Sequence, residues 1–463
     1  MRPGSKYNID MTHGPLFSKI ILFTLPLIVT NVMQLMFHAA DLIVLGQFAD
    51  PKAMAGVGAT NGLTTFMLNL FLGLSTGVNV LTARYAGAKD PRNIARTVHT
   101  SMAVAFYGGL IMAAISIAIS RPMLRLMATP EVILDKACIY MWIYGAGMPF
   151  VIIYNFGGSV LRALGDTRRP LIFMLIAGLT NVLLNLFFVL VCHWDVAGVA
   201  VATKISNAVS ALLVLRVLSQ SRDASRLFWN RMKIHRGTFI DLLKIGLPAG
   251  IQGSCFSIAN ITIQSTVNSF GPMAIAGNTS SQSLEGVVNT CSHAFYTTTI
   301  SFVGQNHGAG KYKRIVKSII YSVISVMVAC AIFGWGFYAC GRSLLNIYNP
   351  NPEVIRFGMV RLRVMMMTYF LAGFMNIATG ALRGLGHSVK PTIVTLTGAC
   401  FFRIAWIMVI FPLAPKYQTL ILSYPSSWLM VTIINGILLY FVLRKMFREK
   451  AGKTHLGTLL PHA

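Results

Sequence analysis

Residues 155–170 read NFGGSVLRALGDTRRP, and residues 376–391 read NIATGALRGLGHSVKP. The two align without a gap. Asn155 and Asn376, Leu161 and Leu382, Arg162 and Arg383, Leu164 and Leu385, Gly165 and Gly386, and Pro170 and Pro391 are identical pairs, while Arg169 and Lys390 keep the charge. The same offset of 221 residues lays AMAG at 53–56 on AIAG at 274–277, and Gly87-Ala88 on Gly308-Ala309. Leu25-Pro26 falls on Leu247-Pro248 with one residue of slippage. Internal symmetry held at one offset marks a chain built from two copies of one unit.

The composition says what that unit is immersed in. The 463 residues are 55% hydrophobic and only 11% charged, with mean hydropathy +0.65. A soluble domain carries about 25% charged residues, so this chain lacks the charge to cover a water-facing surface and must face lipid. No secretory signal is evident: the first residues are polar, and Lys6 to Lys19 reads as a short leader into the first apolar run. The net charge of +26 would suggest nucleic acid on a soluble protein. Here the basic residues sit in short loops between apolar runs, where they set topology, and no soluble domain is large enough to hold nucleic acid. The seven cysteines are scattered without a CxxC pair, which argues against a disulfide framework or a metal site.

A bilayer core takes about 20 apolar residues per helix. Twelve such stretches are predicted: 17–45, 53–82, 95–119, 133–158, 170–192, 196–218, 239–268, 274–302, 315–339, 355–381, 391–412 and 419–443. The expected organisation is an N-terminal lobe at 1–218, a basic cytoplasmic linker at 219–238, and a C-terminal lobe with a basic tail at 239–463. Charge asymmetry orients them. With the N-terminus inside, only Lys52, Arg121, Arg125, Lys136, Arg342, Arg356 and Lys416 fall in outer segments, and Lys204, Arg361, Arg363 and Arg403 fall within spans. The remaining Lys and Arg are all cytoplasmic, and one missed helix would invert every later loop. Six spans per repeat is an even number, so the halves share one orientation and their pseudo-two-fold axis runs along the membrane normal. The fold class is an all-α membrane protein of twelve transmembrane helices in two six-helix lobes.

At these residues the chain resembles the multidrug and toxic compound extrusion (MATE) family. LRALGDTRRP after span 4, its counterpart LRGLGHSVKP, the Asp41-Leu-Ile-Val-Leu-Gly46 end of span 1 and the Gly-Ala turns after spans 2 and 8 carry the likeness, which covers nearly the whole chain. The resemblance implies a V-shaped, two-lobed bundle in the cell inner membrane, with both termini cytoplasmic. It also implies export of varied, often cationic and aromatic compounds in exchange for Na⁺ or H⁺. The expected partners are those small molecules and membrane lipids, with no nucleic acid, no cofactor beyond the coupling ion, and a monomeric chain. A lipid-linked oligosaccharide or lipid flippase of the same superfamily is the alternative, since Arg361 and Arg363 would suit phosphate. No cluster of catalytic or metal-ligating residues supports an enzyme.

Of thirteen acidic residues, only Asp41 and Glu285 fall well inside spans. An acid at a helix centre costs about 2.5–3.5 kcal/mol on insertion scales, so it usually faces a cavity and binds a cation, a proton or a partner. Asp41 is the expected coupling residue, with a salt bridge to Lys204 as the bland alternative. Lys204 itself either snorkels to the outer surface or competes with the coupling ion for Asp41. By resemblance, Asn181, Asn185 and Thr203 join Asp41 in a cation site, with Na⁺ possible there, and Asn155 accompanies them. Asn181 and Asn185 lie four apart on one helical face, and interhelical hydrogen bonding is their structural alternative. Some members carry a second acid where this chain has Asn185, which leaves the ion open. His38, three residues before Asp41, is a candidate relay or a packing residue.

Glu285 is a candidate second acidic site, to be weighed against an ion pair with Arg361 or Arg363. Met33, Gln34, Phe37, Phe66, Phe256, Gln282, Asn289 and Tyr369 are the residues expected to line a substrate cavity, because thioethers and rings adapt to varied ligands. Pro26 and Pro248 open equivalent helices and are expected to act as hinges or static kinks.

Overall fold

The computed structural model of the chain describes residues 7–48, 51–127, 129–192, 194 and 196–457, and among these residues there is no strand. The first seven helices are α1 (Leu16–Phe48), α2 (Pro51–Gly87), α3 (Pro91–Leu126), α4 (Glu131–Ala146), α5 (Met148–Ala163), α6 (Arg168–Leu186, continued by a π turn at Phe187–Val191) and α7 (Val196–Gln220). The next five are α8 (Arg236–Asn268), α9 (Pro272–Gly308), α10 (Tyr312–Ala339), the short α11 (Gly341–Tyr348) and α12 (Pro352–Gly384). The eleventh span is segmented into α13 (Val389–Thr395), a π stretch (Leu396–Phe401), α14 (Phe402–Ala405) and a second π stretch (Trp406–Ile410). α15 (Tyr417–Ile421) and α16 (Ser423–Gly457) follow.

Ten of these stretches are long and apolar enough to cross a bilayer on their own. α4 and α5 meet at a 43° bend and together make one more span. The break falls at Gly147, just before Pro149, which has no N–H to offer the Gly145 carbonyl four residues back. The expected single span at 133–158 is therefore a bent pair. The twelfth span is α9, whose 37 residues include Asn278, Ser280, Ser281, Glu285, Thr298 and Thr299 and are too polar to read as a lipid-facing helix. It need not face lipid, because more than half of its residues are buried and it packs against α10 and α12. Its hydroxyls return to the helix: Ser280, Ser281, Thr298 and Thr299 each donate to the carbonyl four residues earlier at 2.8–2.9 Å.

The repeated motif has one structural cause. Gly165 ends α5 at φ +101°, and Gly386 ends α12 at φ +90°. In the first copy Asp166 N donates to Leu161 O at 2.9 Å and Gly165 N to Arg162 O at 3.0 Å; in the second His387 N donates to Leu382 O at 2.9 Å and Gly386 N to Arg383 O at 2.8 Å. Both are left-handed helix caps that only glycine fills without strain. A Cβ on Gly165 would also lie 2.4 Å from the Ile9 carbonyl oxygen, because the leader folds back over this turn through an Ile9 N–H to Gly165 O bond of 3.0 Å. Asp166, fully buried beside it, receives the N–H groups of Arg168 and Arg169 and pairs with the Arg169 guanidinium at 2.7 Å. Burial pushes its carboxyl above the usual range against the pull of those partners.

By their contacts the residues divide into two compact units, Met1–Ser257 and Ile258–Ala463. In the first, α1 packs on α6, α6 on α7, and α5 lies among α2, α3 and α7. The segment after α7 is fastened to α3: Phe228 N donates to His99 Nε2 at 3.1 Å and His235 N to Thr100 Oγ1 at 3.2 Å. Since His99 Nδ1 sits 2.7 Å from Ala95 O, the proton belongs on Nδ1 and Nε2 accepts. In the second unit α12 is central, packed by α9, α10 and α16. Pro26 and Pro248 lie inside unbroken α1 and α8.

Candidate functional site

Three neighbouring helices of the first unit bring four of the expected residues together. Asn185 Nδ2 on α6 donates to Asp41 Oδ1 on α1 at 2.5 Å, and also lies 3.4 Å from Asn181 Oδ1 one turn earlier. Thr203 Oγ1 on α7 is 3.3 Å from Asp41 Oδ2 and accepts from Asn181 Nδ2 at 3.2 Å. Its single proton is better placed on Val199 O, 2.8 Å away, so Thr203 offers the carboxylate little and leaves a lone pair facing the cluster. Asn185 is completely buried and Asn181 is 4% exposed.

One atom of this cluster is unsatisfied. Among the described residues, the buried Asn185 Oδ1 has no hydrogen-bond partner. A buried carbonyl oxygen without a donor costs about 1–3 kcal/mol. Exchanging the amide's two ends would not relieve it, because an oxygen would then face the Asp41 carboxylate. A cation would relieve it: the carboxylate, two amide oxygens and a hydroxyl are the hard donors that suit Na⁺.

Other expected residues stand differently. Asn155 donates to Val151 O of its own helix at 2.8 Å, and among the described residues no hydrogen bond joins it to the cluster. The side chain of His38 lies outside the described residues. Lys204 does not snorkel outward. It is 8% exposed, its stem lies against Gly147 at the α4–α5 break, and its ammonium sits 3.5 Å from the centroid of the Tyr144 ring. The ring face supplies a cation–π contact in place of water, and Asp41 is within coulombic reach.

Phe37 is a packing residue. A Cβ on Gly178 of α6 would lie 1.8 Å from Phe37 Cε2, so the ring fills the space the glycine leaves, one turn from Asn181. Gly178→Val should force the ring out, costing about 1–3 kcal/mol as overpacked cores do. It is expected to lower the melting temperature and to change the ion dependence together, and a melting temperature equal to wild type would contradict this packing. Gln34, Phe66, Gln282 and Asn289 are exposed, Met33 and Phe256 half-buried, and Tyr369 is buried against Trp428 with ring centroids 5.3 Å apart.

In the second unit Glu285 is not a lone acid. Arg361 clasps it with two bonds, Nε to Oε1 at 2.6 Å and Nη2 to Oε2 at 2.9 Å, and the guanidinium is 2% exposed. Arg361 Nη1 also donates to Asn278 Oδ1 at 2.7 Å, which accepts from the Tyr417 hydroxyl at 3.1 Å. Asn278 in turn donates to Gln264 at 3.0 Å. A second proton site or an attractor for cations, as expected of Glu285, is ill served by a carboxylate held in this way. Sequence reading offered Arg361 or Arg363 as the partner, and the pairing falls to Arg361; Arg363 is exposed. It missed Arg403, which reaches the same place from α14.

The family model described as MatE matches the chain twice, over residues 26–187 and again over residues 248–409. The two matches begin at Pro26 and Pro248, the pair that the internal repeat superposes. This chain belongs to the MATE family. The probable multidrug resistance protein YpnP of Bacillus subtilis is 27% identical over 84% of this chain and 86% of its own length. The multidrug export protein MepA of Staphylococcus aureus is 21% identical over 85% and 88%. Among solved structures, an outward-facing multidrug resistance MATE family transporter of the MOP superfamily superposes with a TM-score of 0.90 at 17% identity, covering 96% of this chain and all of that one. A MATE structure in a bent conformation gives 0.89 at 18% identity over 97% and 100%. The all-α, twelve-helix, two-lobed MATE fold and a multi-pass membrane location follow, and the MATE family is one of multidrug efflux transporters.

Proposed function

We propose that this MATE protein exports small organic compounds, mainly aromatic and cationic, across the cell inner membrane in exchange for a cation taken up at Asp41. The cation is Na⁺ or H⁺, and the unsatisfied Asn185 Oδ1 carries the reading toward Na⁺. A proton on Asp41 supplies one O–H that an exchanged Asn185 amide could accept only by turning its NH₂ end into the unpaired position, whereas a metal cation can draw on the carboxylate and the amide oxygen together.

In this reading the ion fastens α1 to α6 and α7 when the cluster is filled, and its loss frees α1. Pro26 removes one backbone bond from α1 and makes it the easiest of the three to flex. The membrane potential supplies about 2.3 kcal/mol per charge per 100 mV. The excess of Lys and Arg in the segments on the same side as the termini supports a cytoplasmic position for both. A lipid flippase is not favoured, since relatives covering most of the chain carry multidrug resistance or export names.

The test is efflux of an aromatic cation such as ethidium from proteoliposomes under imposed gradients. A sodium gradient alone should accelerate efflux, and a flux indifferent to both Na⁺ and pH gradients would overturn the reading. Lys204 supplies a second expected outcome. Removing a positive charge near a cation site strengthens cation binding, so Lys204→Met should lower the Na⁺ concentration for half-maximal transport several-fold. An unchanged concentration with normal folding would show that Lys204 serves only to pack on Tyr144.

A further inference from the structure

Among the described residues the interior of the second unit buries three guanidiniums, Arg361, Arg383 and Arg403, against one carboxylate, Glu285, and Arg383 is held by the Tyr296 and Thr392 hydroxyls. Arg403 is 3% exposed and lies on α14, a single turn between two π-helical stretches. Its guanidinium carbon is 4.3 Å from the centroid of the Tyr424 ring, and that of Arg361 is 5.2 Å from the same ring. Glu285 neutralises Arg361 through both oxygens. Among the described residues the partners of Arg403 are neutral, the Tyr424 ring and Ser427, whose Oγ accepts from Nε at 2.9 Å. Among the described residues its two terminal nitrogens have no hydrogen-bond partner, and neither is sealed off in the core. A guanidinium does not deprotonate in proteins, so the charge persists at every physiological pH. Two guanidiniums sharing one ring in a low-dielectric interior also repel each other.

We propose that Arg403 is the binding site for a carboxylate carried by the exported compound. The free groups are Nη1 and Nη2, the end of the fork whose parallel N–H bonds match the two oxygens of a carboxylate. A spherical halide would use this geometry less well. Ring contact with Tyr424 and the bond to Ser427 hold the fork in place, and the flanking π stretches set its direction; such distortions recur at functional sites. The preferred substrates are then zwitterions, an aromatic cation that also bears a carboxylate. This rests on the export reading above.

The test uses two dyes that differ only in this group, rhodamine 19 with a free carboxylate and its ethyl ester rhodamine 6G, with binding to the purified full-length protein measured by fluorescence polarisation. The wild type should bind the acid about tenfold more tightly than the ester. Arg403→Met should erase that preference by weakening acid binding, with affinity for the cationic ester no lower than in the wild type, and Arg403→Lys should restore part of the preference. Loss of a merely structural residue would weaken both dyes alike. Equal affinity of the wild type for acid and ester would overturn the proposal even if the variants fail to fold. So would bromide raising the wild-type melting temperature through Arg403 while the acid has no advantage, for the anion would then be a bound halide. Because binding in detergent needs no gradient, a preserved acid preference without gradient-driven export would keep the carboxylate site and refute only the export reading.

Discussion

Asp41→Asn is expected to reduce gradient-driven export by about 10- to 100-fold while leaving substrate binding close to wild type. The change is nearly isosteric, and an asparagine oxygen can still accept from Asn185 Nδ2, so the α1–α6 contact survives. What disappears is the charge. Hydrogen bonds and ion contacts to a charged group contribute about 1.5–3 kcal/mol more than none, and each 1.4 kcal/mol is a factor of ten in affinity. The loss should therefore appear as weaker ion binding. Sodium binding to purified protein and dye efflux from proteoliposomes, measured on one preparation, check this. Full gradient-driven efflux by the variant would remove Asp41 from the mechanism.

Arg361→Met should destabilise the second unit more than any other single change considered. It leaves Glu285, 6% exposed, as an uncompensated buried carboxylate and strips Asn278 of a donor. Breaking a buried pair from one side costs about 3–5 kcal/mol. Replacing both members with groups of similar shape costs far less, so Glu285→Gln with Arg361→Met should recover most of the lost melting temperature. Thermal unfolding in detergent of the wild type, the single variant and the double variant checks both points. A double variant as unstable as the single would show that Arg361 is held for another reason.

Much of the fold could be read from local chemistry. The repeated Leu-Gly turn is legible because Gly165 and Gly386 answer a backbone demand that no other residue meets cheaply, and such demands leave a mark on sequence. Span 8 counts among the apolar stretches, although its residues are more polar than those of the other spans, and the repeat offset that lays AIAG at 274–277 on AMAG at 53–56 agrees with it. The bend at Gly147 had a signal in Pro149 that apolar run length alone overrides. The π stretches either side of Arg403 had none, since a widened turn depends on tertiary packing and not on propensity.

The site divides in the same way. That Asp41, Asn181, Asn185 and Thr203 converge is implied by motif and by the four-residue spacing on α6. Which amide oxygen is left without a donor depends on side-chain orientation, and no pattern in one chain encodes it. Glu285 and Arg361 stand 76 residues apart, and choosing Arg361 over Arg363 needs the helical phase of α12 relative to α9. The same holds for Lys204, whose inward turn onto Tyr144 depends on the gap at Gly147.

Coupling of cation entry to substrate exit is visible when both fluxes are measured at once in sealed proteoliposomes. Substrate is offered inside with no gradient of Na⁺ or H⁺ imposed, and indicator dyes follow both ions while the substrate leaves. Antiport through Asp41 predicts cation entry coupled to substrate exit in the wild type and its absence in Asp41→Asn. Substrate exit from the wild type with no movement of either cation would contradict the account.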